Sequence, residues 1–262
     1  MIALTAANPS AAFALVTDRM LREKKVTNLI VSYIGAQFAD LEQMTRAVSA
    51  AFPGVRKGHA GAELPWGEWL IEGVFPRRLY VEHGEKLRPM VDDPRFGQAP
   101  ILSFKTLDNW HSFFGRAFRR REELDGESFL LYLLDRWSDP VRSYSKRSMP
   151  HFYFDVERPE WMFAELVHNL AQPRSSRTSH ACVSNIGVRW DTRRQRIVLT
   201  LVLRHNQWTH LWGDIAGAAW MAEALRRELP YNSGFPECVV DLMSGTMDNP
   251  KVARQLLKEL PS

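Results

Sequence analysis

Three side chains in the second half of the chain have the types and the order of a small-molecule reaction site. Cys182 lies in Ser-His-Ala-Cys-Val-Ser-Asn, Arg204 in Leu-Arg-His-Asn and Asp214 in Gly-Asp-Ile-Ala. A thiolate is a nucleophile, an arginine fork matches phosphate oxygens, and a carboxyl reads a heterocycle through its hydrogen-bonding pattern. A thiol near its free pKa of about 8.5 is mostly protonated at neutral pH, so a nearby cation is needed, and His180, Arg177 and Arg204 are the candidates. Plainer alternatives stand beside each role: a small Cys buried on a strand, an arginine on the surface, and an Asp capping a helix that begins at Ile215.

The elements around these residues are readable from periodicity. Cys182 to Trp190 and Arg196 to Arg204 form a strand pair joined by the polar turn Asp191-Thr-Arg-Arg-Gln, and Ile215 to Leu229 is a small-residue helix suited to lie flat on a sheet. Upstream, Pro9 to Lys25 is an amphipathic helix on Phe13, Val16, Met20 and Leu21, Val26 to Ile34 is a buried strand, and Leu41 to Phe52 is a second helix. Gly54 to Gly73 and Phe75 to Gln98 are rich in Gly, Trp and Pro and are expected to be mostly loop with short strands. Then follow a strand at Pro100 to Phe104, helices at Leu107 to Arg121 and Glu127 to Trp137, a strand at His151 to Val156, and helices at Glu160 to Ala171 and Pro250 to Leu260.

Strand-like and helix-like patterns interleave in a chain of 262 residues that is 45% hydrophobic. That supports a globular α+β protein, read as a single domain over 1–262, because one core can grow to about 250–300 residues. No apolar run approaches the roughly 20 residues that cross a bilayer, and the N-terminus lacks a leader pattern, so the cytoplasm is expected. Two cysteines make neither a disulfide framework nor a zinc site, which leaves at least one free thiol and no metal. The net charge of +4 suits a protein that handles anions. A nucleic-acid groove is the weaker explanation, because Arg116 to Arg121 is followed at once by Glu122 and Glu123.

Taken collinearly, these motifs resemble the thymidylate synthase superfamily, closest in pattern to the pyrimidine nucleotide hydroxymethylases. Cys182, Leu203-Arg204-His205 and Asp214-Ile215-Ala216 follow the order of the family's nucleophile, its Gln-Arg-Ser and its Asn-Ile-Ala. Phe113 to Arg119 is similar to the Val-Tyr-Gly-x-Gln-Trp-Arg segment, and Asp139-Pro140 with Ser145-Lys146-Arg147 is similar to the Asn-Pro-x-Ser-Arg-Arg loop. The resemblance spans roughly Trp110 to Ala219; residues 1–100 are divergent.

The resemblance implies a thymidylate synthase-like mixed sheet flanked by helices. It also implies a homodimer joined through its sheets, a pyrimidine nucleoside monophosphate as substrate, and 5,10-methylenetetrahydrofolate as the one-carbon donor. Cys182 would add to C6 of the base. Arg204 and His205 would bind the phosphate with Lys146 and Arg147 of the other subunit, and Phe114 replaces a Tyr of the pocket. The acid/base glutamate falls in Glu63-Leu64-Pro65-Trp66, with Glu68 and Glu72 equally placed. Asp214 stands where an Asn reads uracil; a carboxyl suits the amino group and N3 of cytosine, so cytidylate is the expected substrate. Water or hydride would then decide between a hydroxymethyl and a methyl product.

Other features point away from catalysis. Gln207 replaces a folate-binding Asp, Val183 replaces the His after the nucleophile, Ser244 to Asn249 shows no ribose-binding His-x-Tyr, and no long tail is expected after Ser262. The alternative is a protein of the same fold that binds a nucleotide without folate-dependent catalysis.

Overall fold

A computed structural model describes residues 1–35, 38–57, 63–72, 74–93, 152–155, 183–191, 193–203, 205–228 and 234–259. The elements expected at 100–104, 107–121, 127–137 and 160–171 lie outside the described residues.

Helices pack with a mixed sheet, as expected of the α+β class. Strand β1 (Ile2–Ala6) leads into helix α1 (Pro9–Glu23), which returns to β2 (Lys25–Ile34) parallel to β1. Asn8 starts α1: its Oδ1 accepts the Ala11 N–H at 2.8 Å, and Pro9 supplies a φ suited to the first turn. Phe13, Val16 and Met20 then recur at helical spacing and are buried. Helix α2 (Phe38–Ala51) follows, then a two-stranded hairpin of β3 (Val55–Lys57) and β4 (Glu63–Pro65).

The Gly, Trp and Pro-rich stretches hold more helix than their composition suggests. Helix α3 (Trp66–Glu72) follows β4 directly, and α4 (Arg77–Glu82) and α5 (Leu87–Asp92) occupy the proline-punctuated segment. Burial decides these short helices: Leu70, Ile71, Leu79, Tyr80, Leu87 and Met90 all reach the core.

Strand β5 (Phe152–Asp155) pairs with β6 (Val183–Asp191), which turns into β7 (Arg196–Leu203). The Asp191 Oδ1 accepts the N–H groups of Arg193 and Arg194 at 3.0 and 3.1 Å, which is how this polar turn closes. Strand β8 (Asn206–Gln207), helix α6 (Trp208–Arg227), β9 (Glu237–Thr246) and α7 (Pro250–Glu259) complete the order.

The seven-stranded sheet runs β1-β2-β9-β7-β6-β5, with β8 paired to β9. Thus β9, antiparallel to β2 and parallel to β7, is central, although its sequence did not announce it.

Helix α6 begins at Trp208, not at Ile215 as its small residues suggested. Trp208, Leu211 and Trp212 extend the apolar surface by nearly two turns, and the helix is buried on all sides from Leu211 to Leu225. The two indoles of this added stretch find partners, Trp208 Nε1 donating to Thr17 Oγ1 at 2.9 Å and Trp212 Nε1 to Thr45 Oγ1 at 3.2 Å. Small residues let α3 press against α6. A Cβ at Gly213 would sit 2.6 Å from the Leu70 carbonyl oxygen, and one at Gly217 would sit 2.4 Å from Val74 Cβ. Among the described residues no helix is long and apolar enough to cross a membrane.

Candidate functional site

The sheet brings several chain segments to one end. Val183, which follows Cys182 in the sequence, pairs with Leu203, which precedes Arg204. Leu203 pairs in turn with Leu242, and two steps along β9 from Met243, Gly245 faces Asn206 of β8. Cys182 and Arg204 themselves lie outside the described residues, as do Phe114, Lys146, Arg147, His180 and Arg177.

His205 is exposed, with Nδ1 3.3 Å from Ser244 Oγ of β9. Ser244 was noted in sequence only for lacking a ribose motif; strand pairing makes it the neighbour of the expected phosphate-side histidine. Gln207 is exposed at the entrance to α6.

Asp214 lies in the second turn of α6, so it does not cap that helix. The N-terminus is held from elsewhere: Asp248, just after β9, accepts the Thr209 N–H at 3.2 Å and the Thr209 hydroxyl at 2.6 Å. The Asp214 carboxyl is buried, and Asn206 Nδ2 donates to its Oδ2. Burial pushes its pKa up to about 7, against the lowering effect of the Asn206 hydrogen bond. A carboxyl poised there exchanges its proton near neutrality, and sequence alone gave no sign of the amide that holds it. Beside it, the Tyr33 hydroxyl donates to the Ile215 carbonyl at 2.7 Å and ties α6 to β2.

The second thiol is now accounted for. Cys238 is buried on β9, where burial pushes it up to about 12, so it stays protonated and inert.

The three glutamates differ sharply. Glu63 is exposed on β4. Glu68 is partly exposed, with its Oε2 3.9 Å from Arg77 Nη1. Glu72 is buried at the end of α3, where burial pushes its carboxyl up to about 7, opposed by the Arg78 N–H that it accepts at 2.7 Å. Because α3 lies against Gly213, Glu72 belongs to the helix packed beside Asp214. The raised proton affinity of Glu72 suits general acid–base work.

Trp66 and Trp69 make a tilted aromatic pair, with centroids 5.2 Å apart, and His210 lies 6.1 Å from Trp66. Burial lowers the proton affinity of His210, and Asp248 opposes that. The Trp66 Nε1 is buried and donates to no group among the described residues. No cluster of His, Cys, Asp and Glu that could hold a metal ion occurs among the described residues.

No family model matches this sequence, and no curated protein matches it.

Proposed function

We propose that this protein is a thymidylate synthase-like enzyme that transfers a one-carbon group to C5 of a pyrimidine nucleoside monophosphate, with cytidylate preferred over uridylate. The observation that carries the reading is Asp214: a buried carboxyl with a pKa of about 7, held by an amide, with no capping duty in its helix. A neutral acid donates one hydrogen bond and accepts another, which matches N3 and the amino group of cytosine.

In this reading the Cys182 thiolate adds at C6, forming an S–C bond while the C5–C6 π pair moves to C5 and makes that carbon nucleophilic. Arg204 and His205 hold the phosphate. C5 would then bond to the donor's methylene carbon and lose its proton to a base as the folate amine departs, leaving an exocyclic methylene; addition of water to that methylene re-forms the C5–C6 double bond and expels the thiolate. Glu72 is favoured over Glu63 and Glu68 for the proton transfer, on burial and proton affinity.

Methylenetetrahydrofolate, the donor that the resemblance implies, supplies a carbon at the oxidation level of formaldehyde. The Trp66–Trp69 pair, in which the Trp66 indole N–H donates to no described residue, suits a flat heteroaromatic ring. The homodimer that the resemblance implies is part of this proposal.

Release of tritium from 5-tritiated dCMP or CMP in the presence of methylenetetrahydrofolate tests the reaction. Release that disappears in Cys182→Ala supports it, and no release from either nucleotide counts against it. The exposed Gln207, standing where the resemblance expects a folate-binding Asp, favours the second reading, a nucleotide-binding protein without folate-dependent catalysis. Tight dCMP binding with no release would select that one.

A further inference from the structure

Asn206 is about 1% exposed, yet only half of its amide is used. Nδ2 donates to Asp214 Oδ2, whereas Oδ1 is buried and accepts from no group among the described residues. Leaving a buried acceptor unmatched is costly, a cost that an apolar residue of similar shape would avoid. Such an atom calls for a partner that the described residues do not supply. Nδ2 on Oδ2 suits both the ionised and the neutral carboxyl of Asp214, whereas a turned amide, with Oδ1 facing the carboxyl, suits only the neutral acid.

The consequence depends on which groups the pair leaves free. With Nδ2 on Oδ2, a neutral Asp214 keeps its hydroxyl as a donor, and Asn206 keeps Oδ1 as an acceptor. Donor beside acceptor is the complement of N3 and the exocyclic amino group of cytosine. The opposite amide orientation leaves an acceptor beside a donor, the complement of N3–H and O4 of uracil.

We infer that Asn206 is a specificity-determining residue and the second half of the base reader: Nδ2 orients the Asp214 carboxyl, and Oδ1 accepts the amino group of cytosine. This rests on the cytidylate reading of Asp214 and adds to it a residue that no motif singled out.

The test is equilibrium binding of dCMP and dUMP to the full-length chain and to its Asn206→Leu and Asn206→Ser variants, with circular dichroism to confirm folding. The unsubstituted protein should prefer dCMP by about tenfold or more, the scale of one buried hydrogen bond. Asn206→Leu should bring that ratio close to one, and Asn206→Ser, which keeps a smaller acceptor, should fall between. General damage to the site would weaken both nucleotides alike and leave the ratio intact, so an unchanged ratio in the folded variants overturns the inference; if the Leu variant does not fold, the Ser variant decides. An unsubstituted protein without a dCMP preference defeats the Asp214 reading and this inference with it. A preference that survives both substitutions defeats this inference alone.

Discussion

Asn206 donates its side-chain amide to the Asp214 carboxyl across eight residues of chain, from a two-residue strand to the second turn of a buried helix. The contact couples the end of the sheet to the interior of α6, and it opposes the burial that raises the proton affinity of Asp214. Fold stability therefore depends on this ionisation, and so does the base reading proposed above.

The value of Asp214 in the folded protein, about 7, lies above its unfolded 3.8, so folding favours the neutral acid. Its stabilising contribution is complete below the unfolded value and is lost as pH rises through the folded one, at roughly 1.4 kcal/mol per pH unit between them. Asp214→Asn should therefore melt higher than the unsubstituted protein at pH 8, with the gap narrowing toward pH 5. A gap independent of pH between 5 and 8 would contradict this. The same substitution restores a donor and an acceptor at neutral and alkaline pH, and it should shift nucleotide preference toward dUMP.

Glu72 obeys the same sign, since burial raises it from 4.5 to about 7. Glu72→Gln should gain stability above pH 7 and lower kcat by about 10²–10⁴ if this carboxyl moves the proton. Glu63→Gln, at an exposed position, should leave kcat unchanged. Steady-state kinetics on both variants separates the two glutamates; a fall confined to Glu63→Gln would reverse the assignment.

Much of the frame was legible because local pattern and burial agree. Helix α1 reads from Asn8-Pro9 and from Phe13, Val16 and Met20, and the β6–β7 hairpin reads from Asp191 and the alternation of Ile197, Leu199, Leu201 and Leu203. Strand β9 was not legible. Cys238, Val240 and Leu242 do alternate, but its central place comes from pairing Leu29 with Leu242 and Leu201 with Val240, partners far away in sequence. The start of α6 was misplaced because its small residues and a capping role for Asp214 both point to Ile215. In the fold Gly213 lies inside the helix at the close approach of Leu70, and burial outweighs the weak helix propensity of glycine. At the site, Asp214 stood out by residue type, while Asn206 and Ser244 gain meaning only when β8 and β9 pair.

Gly213→Ala tests that close approach. The added methyl would meet the Leu70 carbonyl, a backbone atom that cannot move without shifting α3, so a loss of about 1–3 kcal/mol is expected. Chemical denaturation measures it, and no loss would mean that α3 gives way freely.

Asp248→Ala removes the acceptor for both Thr209 groups at the start of α6. The expected cost is about 1 kcal/mol, as for other lost helix caps. Because His210 sits in the same turn, its proton affinity should fall further once the Asp248 charge is gone, by the direction of that interaction. An NMR titration of the His210 ring checks the second effect independently of stability; an unchanged or raised value would contradict it.

The most direct measurement of the central claim is covalent trapping. With 5-fluoro-2′-deoxycytidine 5′-monophosphate and methylenetetrahydrofolate, the fluorine at C5 cannot leave as a proton, so the nucleotide should stay bonded to the protein. Peptide mass spectrometry should then place the adduct on Cys182, with Cys238, buried and protonated, unmodified. An intact protein carrying no nucleotide mass, or an adduct on Cys238, would contradict the account.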